Sequence, residues 1–169
     1  MQPADMLIGE SAVGEGGNAA HINTVLGRRE GPVGAAFVSA LATPRAGHAG
    51  FLVVGRPGVA VKPPTLFVNK AAIVDDTHGN LTWGPAQAGV ARGVGLALGE
   101  GVIDPTEAAD LLLIAAVWVN PSADDAAAVY ENNSAATLQS LRNGKAGYPS
   151  VEEFLGVADA PFNAFFRPT

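Results

Sequence analysis

The sequence predicts an α/β fold, more narrowly an α+β two-layer sandwich: a mixed or antiparallel sheet with helices on one face. Three observations predict it. Strand-like and helix-like segments follow one another as strand, strand, helix, strand, strand, helix, strand, helix. The first two strands are joined by the short glycine-rich stretch "GEGGN", which suits a hairpin and makes the sheet at least partly antiparallel. The chain has 169 residues, 48% of them hydrophobic and 15% charged, enough apolar material for one domain with a real core.

Met6 to Gly14 and Ala20 to Gly27 read as the hairpin strands. Gly31-Pro32 opens a helix with Val33, Phe37 and Leu41 at i, i+4 spacing. "FLVVGRP", Phe51 to Pro57, reads as a buried strand, and Pro57, Pro63 and Pro64 bracket a loop. "TLFVNKAAIV", Thr65 to Val74, is the next strand. "GPAQAGVARGVGLALGEG" is a helix with Pro85 in its first turn, an apolar stripe of Ala86, Val90, Val94 and Leu98, and small residues Gly89 and Gly93 for close packing. Asp104-Pro105-Thr106-Glu107 carries the chemistry of a short helix start. Leu111 to Val119 is wholly apolar and reads as a central strand or a subunit-contact strand. Ser122 caps a long helix with Asp124 and Asp125 in its first turn, ending near Gly144. Residues 1–146 therefore form one body. Residues 147–169 form a Pro-punctuated arm whose "FLG" and "FNAFF" aromatics suit docking on the body or on a neighbouring subunit.

Composition excludes several classes. Net charge is −6 and the basic residues are scattered, which argues against nucleic acid as a partner. Without cysteine there are no disulfides or thiolate chemistry. The three histidines, His21, His48 and His78, have no metal-like spacing, and no metal is expected. The first residues lack the pattern of a secretory signal, and the longest apolar run is too short to span a bilayer. A cytoplasmic protein with no membrane partner is expected. "GEGGN" joins two strands instead of feeding a helix, so nucleotide binding is rejected. The many small residues suit an oligomer.

Side chains alternate faces along a strand. His21, Asn23 and Val25 share one face, while Ala20, Ile22, Thr24 and Leu26 make the better core face. Lys70 shares a face with Val68 and Ala72, and Gln87 lies in the first turn of its helix. Polar groups at the edges of apolar elements are the makeup of a small-molecule pocket. Each also has an ordinary reading: a hydrogen-bonded strand histidine, a solvated lysine, a helix-end glutamine. His48 and His78, in glycine-containing loops, read as structural.

In order and spacing from about residue 6 to residue 142, "GESAVGEGGNAAHINTVLG", Ala36-Phe37, "KPPTLFVNKAAI", "GPAQAGVA" and "GEGVIDPTEAADLLLI" resemble the formaldehyde-activating enzyme family. That resemblance implies a fold like the second domain of ribosomal protein S5, with a left-handed βαβ crossover. It implies a homopentamer with sites between adjacent subunits. It implies a lyase of one-carbon metabolism and methylotrophy, condensing formaldehyde with tetrahydromethanopterin as co-substrate to give methylenetetrahydromethanopterin and water. The family's catalytic histidine falls on His21, as general acid. Its pterin-contacting positions fall on Asn23, Leu52, Lys70, Ala72 and Gln87. A histidine suits the chemistry, because carbinolamine dehydration needs a proton donor near neutral pH.

Three positions depart from the family's pattern. Asn23 stands where the family reads aspartate, Ala72 where it reads threonine, and Ala88 where a histidine is common. A carboxylate beside a histidine favours imidazolium, whereas an amide does not, so the strand of His21 lacks its own acidic partner. The alternative reading is accordingly a divergent, non-catalytic paralogue that binds a pterin, a folate or an aldehyde adduct as carrier or formaldehyde sensor.

Overall fold

A computed structural model describes residues 6–163 and 166–168. Ala164 and Phe165 of the expected arm lie outside the described residues.

The opening hairpin forms as expected, from β1 (Met6–Val13) and β2 (Ala20–Arg28), antiparallel, with a short 3-10 turn at Gly16–Asn18 between them. α1 (Pro32–Ala42) follows. The single strand expected over 51–57 is two pieces, β3 (Phe51–Leu52) and β4 (Val54–Arg56). They divide because β3 pairs with β6 (Thr65–Asn69) of the main sheet, while β4 turns about Pro57-Gly58 to pair with β5 (Val59–Ala60). The strand expected to run to Val74 stops at Asn69. The Asn69 side chain there donates to the carbonyls of Gly47 (2.6 Å) and Ala71 (2.8 Å), closing the chain into a loop.

A helix the sequence reading missed, α2 (Asp76–Leu81), starts under an Asp75 cap that accepts from the His78 N–H. It continues through a π turn at Thr82–Ala86 into α3 (Gln87–Gly99). Pro85 therefore lies inside a helical run and not at its start. Proline has no N–H to give to the carbonyl four residues back, and the wider π turn absorbs that missing bond. The segment from Asp104 is a turn and not a helix: Asp104 Oδ1 accepts from both the N–H and the hydroxyl of Thr106. β7 (Leu111–Val119) is the apolar strand. α4 (Ala126–Ala146) is capped by Asp125, which accepts from the N–H groups of Ala127 and Ala128, while Ser122 bonds Asn120 instead. The expected loose arm begins with a short helix, α5 (Val151–Leu155), closed by a Ser150–Glu153 capping box.

The main sheet has five strands in the order β1-β2-β7-β6-β3. All neighbours are antiparallel except β6 and β7, so the sheet is mixed. The α+β sandwich is thus present. α3 and α4 cover one face and bury Ile22, Leu113, Ala115, Val117 and Phe67 there. Their close approach rests on glycine: a Cβ at Gly93 would lie 2.5 Å from Thr137 Cβ, and one at Gly89 2.5 Å from the Tyr130 carbonyl. Helices do not stay on that face alone. α1 packs on the opposite one, where Val33 and Phe37 meet Leu66, Leu112, Val25 and Ile114. That covers one end of the second face and leaves the other end for His21.

Candidate functional site

The alternation of β2 is as the sequence indicated. Ala20, Ile22, Thr24 and Leu26 are 7% exposed or less, and His21, Asn23 and Val25 are half-buried on the other side. Strand register then decides what stands beside His21. On β1, Glu10 is the partner of Asn23 and Ala12 the partner of His21. On β7, Ala116 faces Asn23 and Trp118 faces His21. Lys70 follows the last residue of β6 and keeps one ladder bond, its N–H donating to the Val117 carbonyl. The Asn69 loop bonds fix where Lys70 leaves the sheet. His48 Nδ1 donates to the Asn69 carbonyl (2.9 Å) and holds that loop from its other side.

Four side chains thereby join in one chain of contacts. Lys70 Nζ donates to Asn23 Oδ1 (2.7 Å) and to His21 Nδ1 (3.1 Å). His21 Nε2 lies 2.9 Å from Glu10 Oε1. Partial burial holds the Lys70 amine below the ordinary lysine range, while the Glu10 charge pulls the other way. The carboxylate that the His21–Asn23 strand lacks is thus supplied by the neighbouring strand. Glu10, His21 and Lys70 line a cavity of about 640 Å³, walled also by Ala12, Trp118, Phe162 and Asn163. A second cavity of about 820 Å³ shares Trp118, Phe162 and Asn163, and adds Glu15, Asn120 and Arg167, whose guanidinium stacks over the Phe162 ring.

The remaining sequence candidates stand elsewhere. Leu52, 41% exposed, and Gln87 line a different cavity of about 460 Å³ with Phe51, Val54 and Trp83. Gln87 does not sit at a free helix end. It is buried after the π turn, and its Oε1 accepts from the Val54 N–H (2.7 Å), tying down β4. Ala72 is exposed in the loop past Lys70, against Gly47. His78 is buried with both ring nitrogens engaged, Nε2 to the Val119 carbonyl and Nδ1 to the Val74 N–H. Among the described residues, no three His, Asp or Glu side chains gather as metal ligands would. No helix there is long and apolar enough to cross a membrane.

The sequence reading missed Glu10 and Trp118, and named the "FNAFF" aromatics for docking without linking Phe162 to His21. Extending strand alternation across the β1–β2 register finds Glu10, and applying it to β7 finds Trp118. Nothing local in the sequence places Phe162.

On the open face of the mixed sheet, a histidine and an amine share a hydrogen bond beside a carboxylate and aromatic side chains, a set of groups able to move a proton. A profile of the formaldehyde-activating enzyme (Fae) family matches residues 8–165, and the chain belongs to that family. A 5,6,7,8-tetrahydromethanopterin hydro-lyase of Methanosarcina barkeri is 40% identical over 159 residues, which is 94% of this chain and 89% of that one. A bifunctional enzyme Fae/Hps of Archaeoglobus fulgidus is 36% identical over 94% of this chain and 40% of its own length. A second Fae/Hps protein, from Methanococcoides burtonii, is 38% identical with the same two shares, 94% and 40%. The chain thus corresponds to less than half of those longer relatives.

Proposed function

We propose that this chain condenses formaldehyde with tetrahydromethanopterin to give the methylene derivative and water, with His21 as the proton-transfer group. The observation that carries the reading is the His21–Lys70 hydrogen bond at the wall of a cavity, on a chain whose 40% identical relative bears that activity in its name.

The chemistry needs little covalent help. One pterin nitrogen attacks the formaldehyde carbon, the C=O π bond opens, and the nitrogen's proton ends on oxygen as a carbinolamine. The hydroxyl then takes a proton from the His21–Lys70 pair and leaves as water, as the nitrogen lone pair forms the iminium. The second nitrogen of the pterin closes on that carbon, and its proton returns to the pair. Two N–H protons and the carbonyl oxygen leave together as one water. Holding both reactants in register supplies much of the remaining acceleration. The ammonium of Lys70 keeps the proton store charged, and Trp118 and Phe162 offer flat apolar walls to the ring.

Leu52 and Gln87 join this reading as pterin contacts contributed by an adjacent copy. Their cavity is distinct from that of His21, and a site between copies in a homopentamer would bring the two sets together. Ala72, exposed in the loop past Lys70, joins the reading as a further pterin contact at that edge of the site. The parallel β6–β7 pair joined through α2 and α3 supports a βαβ crossover of the kind found in the second domain of ribosomal protein S5. Phe162 and Asn163 of the arm close the pocket over the body. A cytoplasmic place in one-carbon metabolism follows from the same reaction. The carrier or sensor alternative is less favoured, because binding alone gives no reason to join a histidine to an amine of lowered proton affinity.

The test is the rate of condensation above the spontaneous reaction, with sedimentation analysis of the same sample. Acceleration by a pentamer supports the reading. Saturable pterin binding at the spontaneous rate would assign the chain to the carriers.

A further inference from the structure

The contact between His21 and Glu10 leaves the choice of active ring nitrogen to be settled by hydrogen-bond accounting. An ammonium offers only donors, so when Lys70 is charged His21 Nδ1 must accept from it. A neutral imidazole carries one N–H, which is then on Nε2 and aimed at the Glu10 carboxylate, an acceptor 2.9 Å away. If the proton passes from Lys70 to His21, the imidazolium still gives Nε2–H to Glu10. Lys70 then accepts from Nδ1–H and still donates to Asn23 Oδ1. Across both states only the proton between Nδ1 and Nζ changes owner.

We propose that Glu10 is the positioning residue of the site: it holds the Nε2–H of His21 and so fixes Nδ1, beside the Lys70 amine, as the nitrogen through which protons move. The proposal rests on His21 being the proton-transfer group. It adds which nitrogen acts and what selects it.

Among the described residues, Glu10 is the charged side chain that meets His21 Nε2. From β1, Glu10 is the charged group on His21. From the loop after β6 it is Lys70. β7 presents Trp118, and the arm presents Phe162 and Asn163, all uncharged. Glu15 and Arg167 line the adjoining cavity. His21 and Glu10 side chains are 42% and 61% exposed, so an ion pair between them adds little to folding stability. Orientation is the property it can set. Without Glu10, water would serve Nε2 as donor or as acceptor equally well, and the imidazole would be free to flip its two nitrogens.

The experiment is ¹⁵N spectroscopy of the histidine rings in the full chain without substrate, the His21 signals being assigned by their loss in His21→Ala. The native protein should show the Nε2–H form. Glu10→Gln keeps a carbonyl oxygen for that proton and should keep the same form. Glu10→Ala should give a mixture of tautomers, with kcat at least about tenfold lower and KM within about twofold, as for loss of an imidazole-orienting group. An Nδ1–H form in the native protein, or unchanged ring signals in Glu10→Ala, overturns the proposal. These signals do not depend on turnover. A protein without activity but with the expected tautomers would sink the proposed function and leave the role of Glu10 standing.

Discussion

Replacing Lys70 by methionine separates what the site does for folding from what it does for chemistry. The change removes two hydrogen bonds to a charged donor, at 2.7 and 3.1 Å. Such bonds contribute about 1.5–3 kcal/mol each when sheltered from water. Here they are not sheltered, since Lys70, His21 and Asn23 are all half-buried and water can replace the lost donor. The change also removes the penalty of partly burying an ammonium. That penalty is why the Lys70 amine stands below its ordinary value of 10.5. The folded chain therefore binds fewer protons than the unfolded chain between the folded value and 10.5, and the contribution of this group to stability rises with pH across that window. Below the folded value the penalty is fully present. The opposing effects leave Lys70→Met within about 1 kcal/mol of the native stability at neutral pH. The native protein should gain on the variant as pH rises through the window. Activity should behave differently, because the proton store is gone: kcat should fall about 100-fold or more. Urea midpoints at several pH values and the condensation rate, measured on the same samples, test both halves. A large loss of stability with kcat intact would show that Lys70 is a structural residue and refute the reasoning.

Other perturbations follow from the same geometry. Gly93→Ala forces a Cβ to 2.5 Å from Thr137 Cβ and should cost roughly 1–3 kcal/mol, against the gain alanine gives in an open helix. A thermal melt should show it as a fall of several degrees. His78→Ala empties a buried, twice-bonded site and should cost about 2–4 kcal/mol, while the rate per folded molecule stays native. Loss of activity in the folded fraction would move His78 into the site. Deleting residues 161–169 removes the Phe162 wall, worth about 0.5–1.5 kcal/mol, so KM for the pterin should rise about two- to twelvefold with kcat retained. Unchanged KM would mean that the arm does not close the pocket.

The faces of β2 were legible because apolar and polar residues alternate over residues 20–23, with Ile22 and Leu26 on one face, and that presented His21 and Asn23. The central place of β7 and the glycine-mediated meeting of α3 with α4 were equally readable, since both depend on local composition. What escaped was non-local or depended on competition between neighbours. Pro85 looked like a helix start, yet Asp75 caps a helix ten residues earlier and the π turn carries the chain past the proline. Ser122 and Asp125 competed for the same cap, and the carboxylate won while Asn120 took the serine. Strand β6 ended early because Asn69 found two carbonyls off the sheet. Within the site, Lys70 was visible as a polar residue but not as the partner of His21, because that contact spans 49 residues. Glu10 was hidden by the hairpin register, so Asn23 was read as leaving the histidine without a carboxylate. The sheet returns one from β1, through the pairing of Glu10 with Asn23.

The most direct test of the account is the rate of formaldehyde condensation with tetrahydromethanopterin, spontaneous background subtracted, for the native chain beside His21→Ala. The account predicts a clear acceleration that His21→Ala abolishes while pterin binding stays within a modest factor. A native rate equal to the background, or an acceleration that survives His21→Ala, would contradict it.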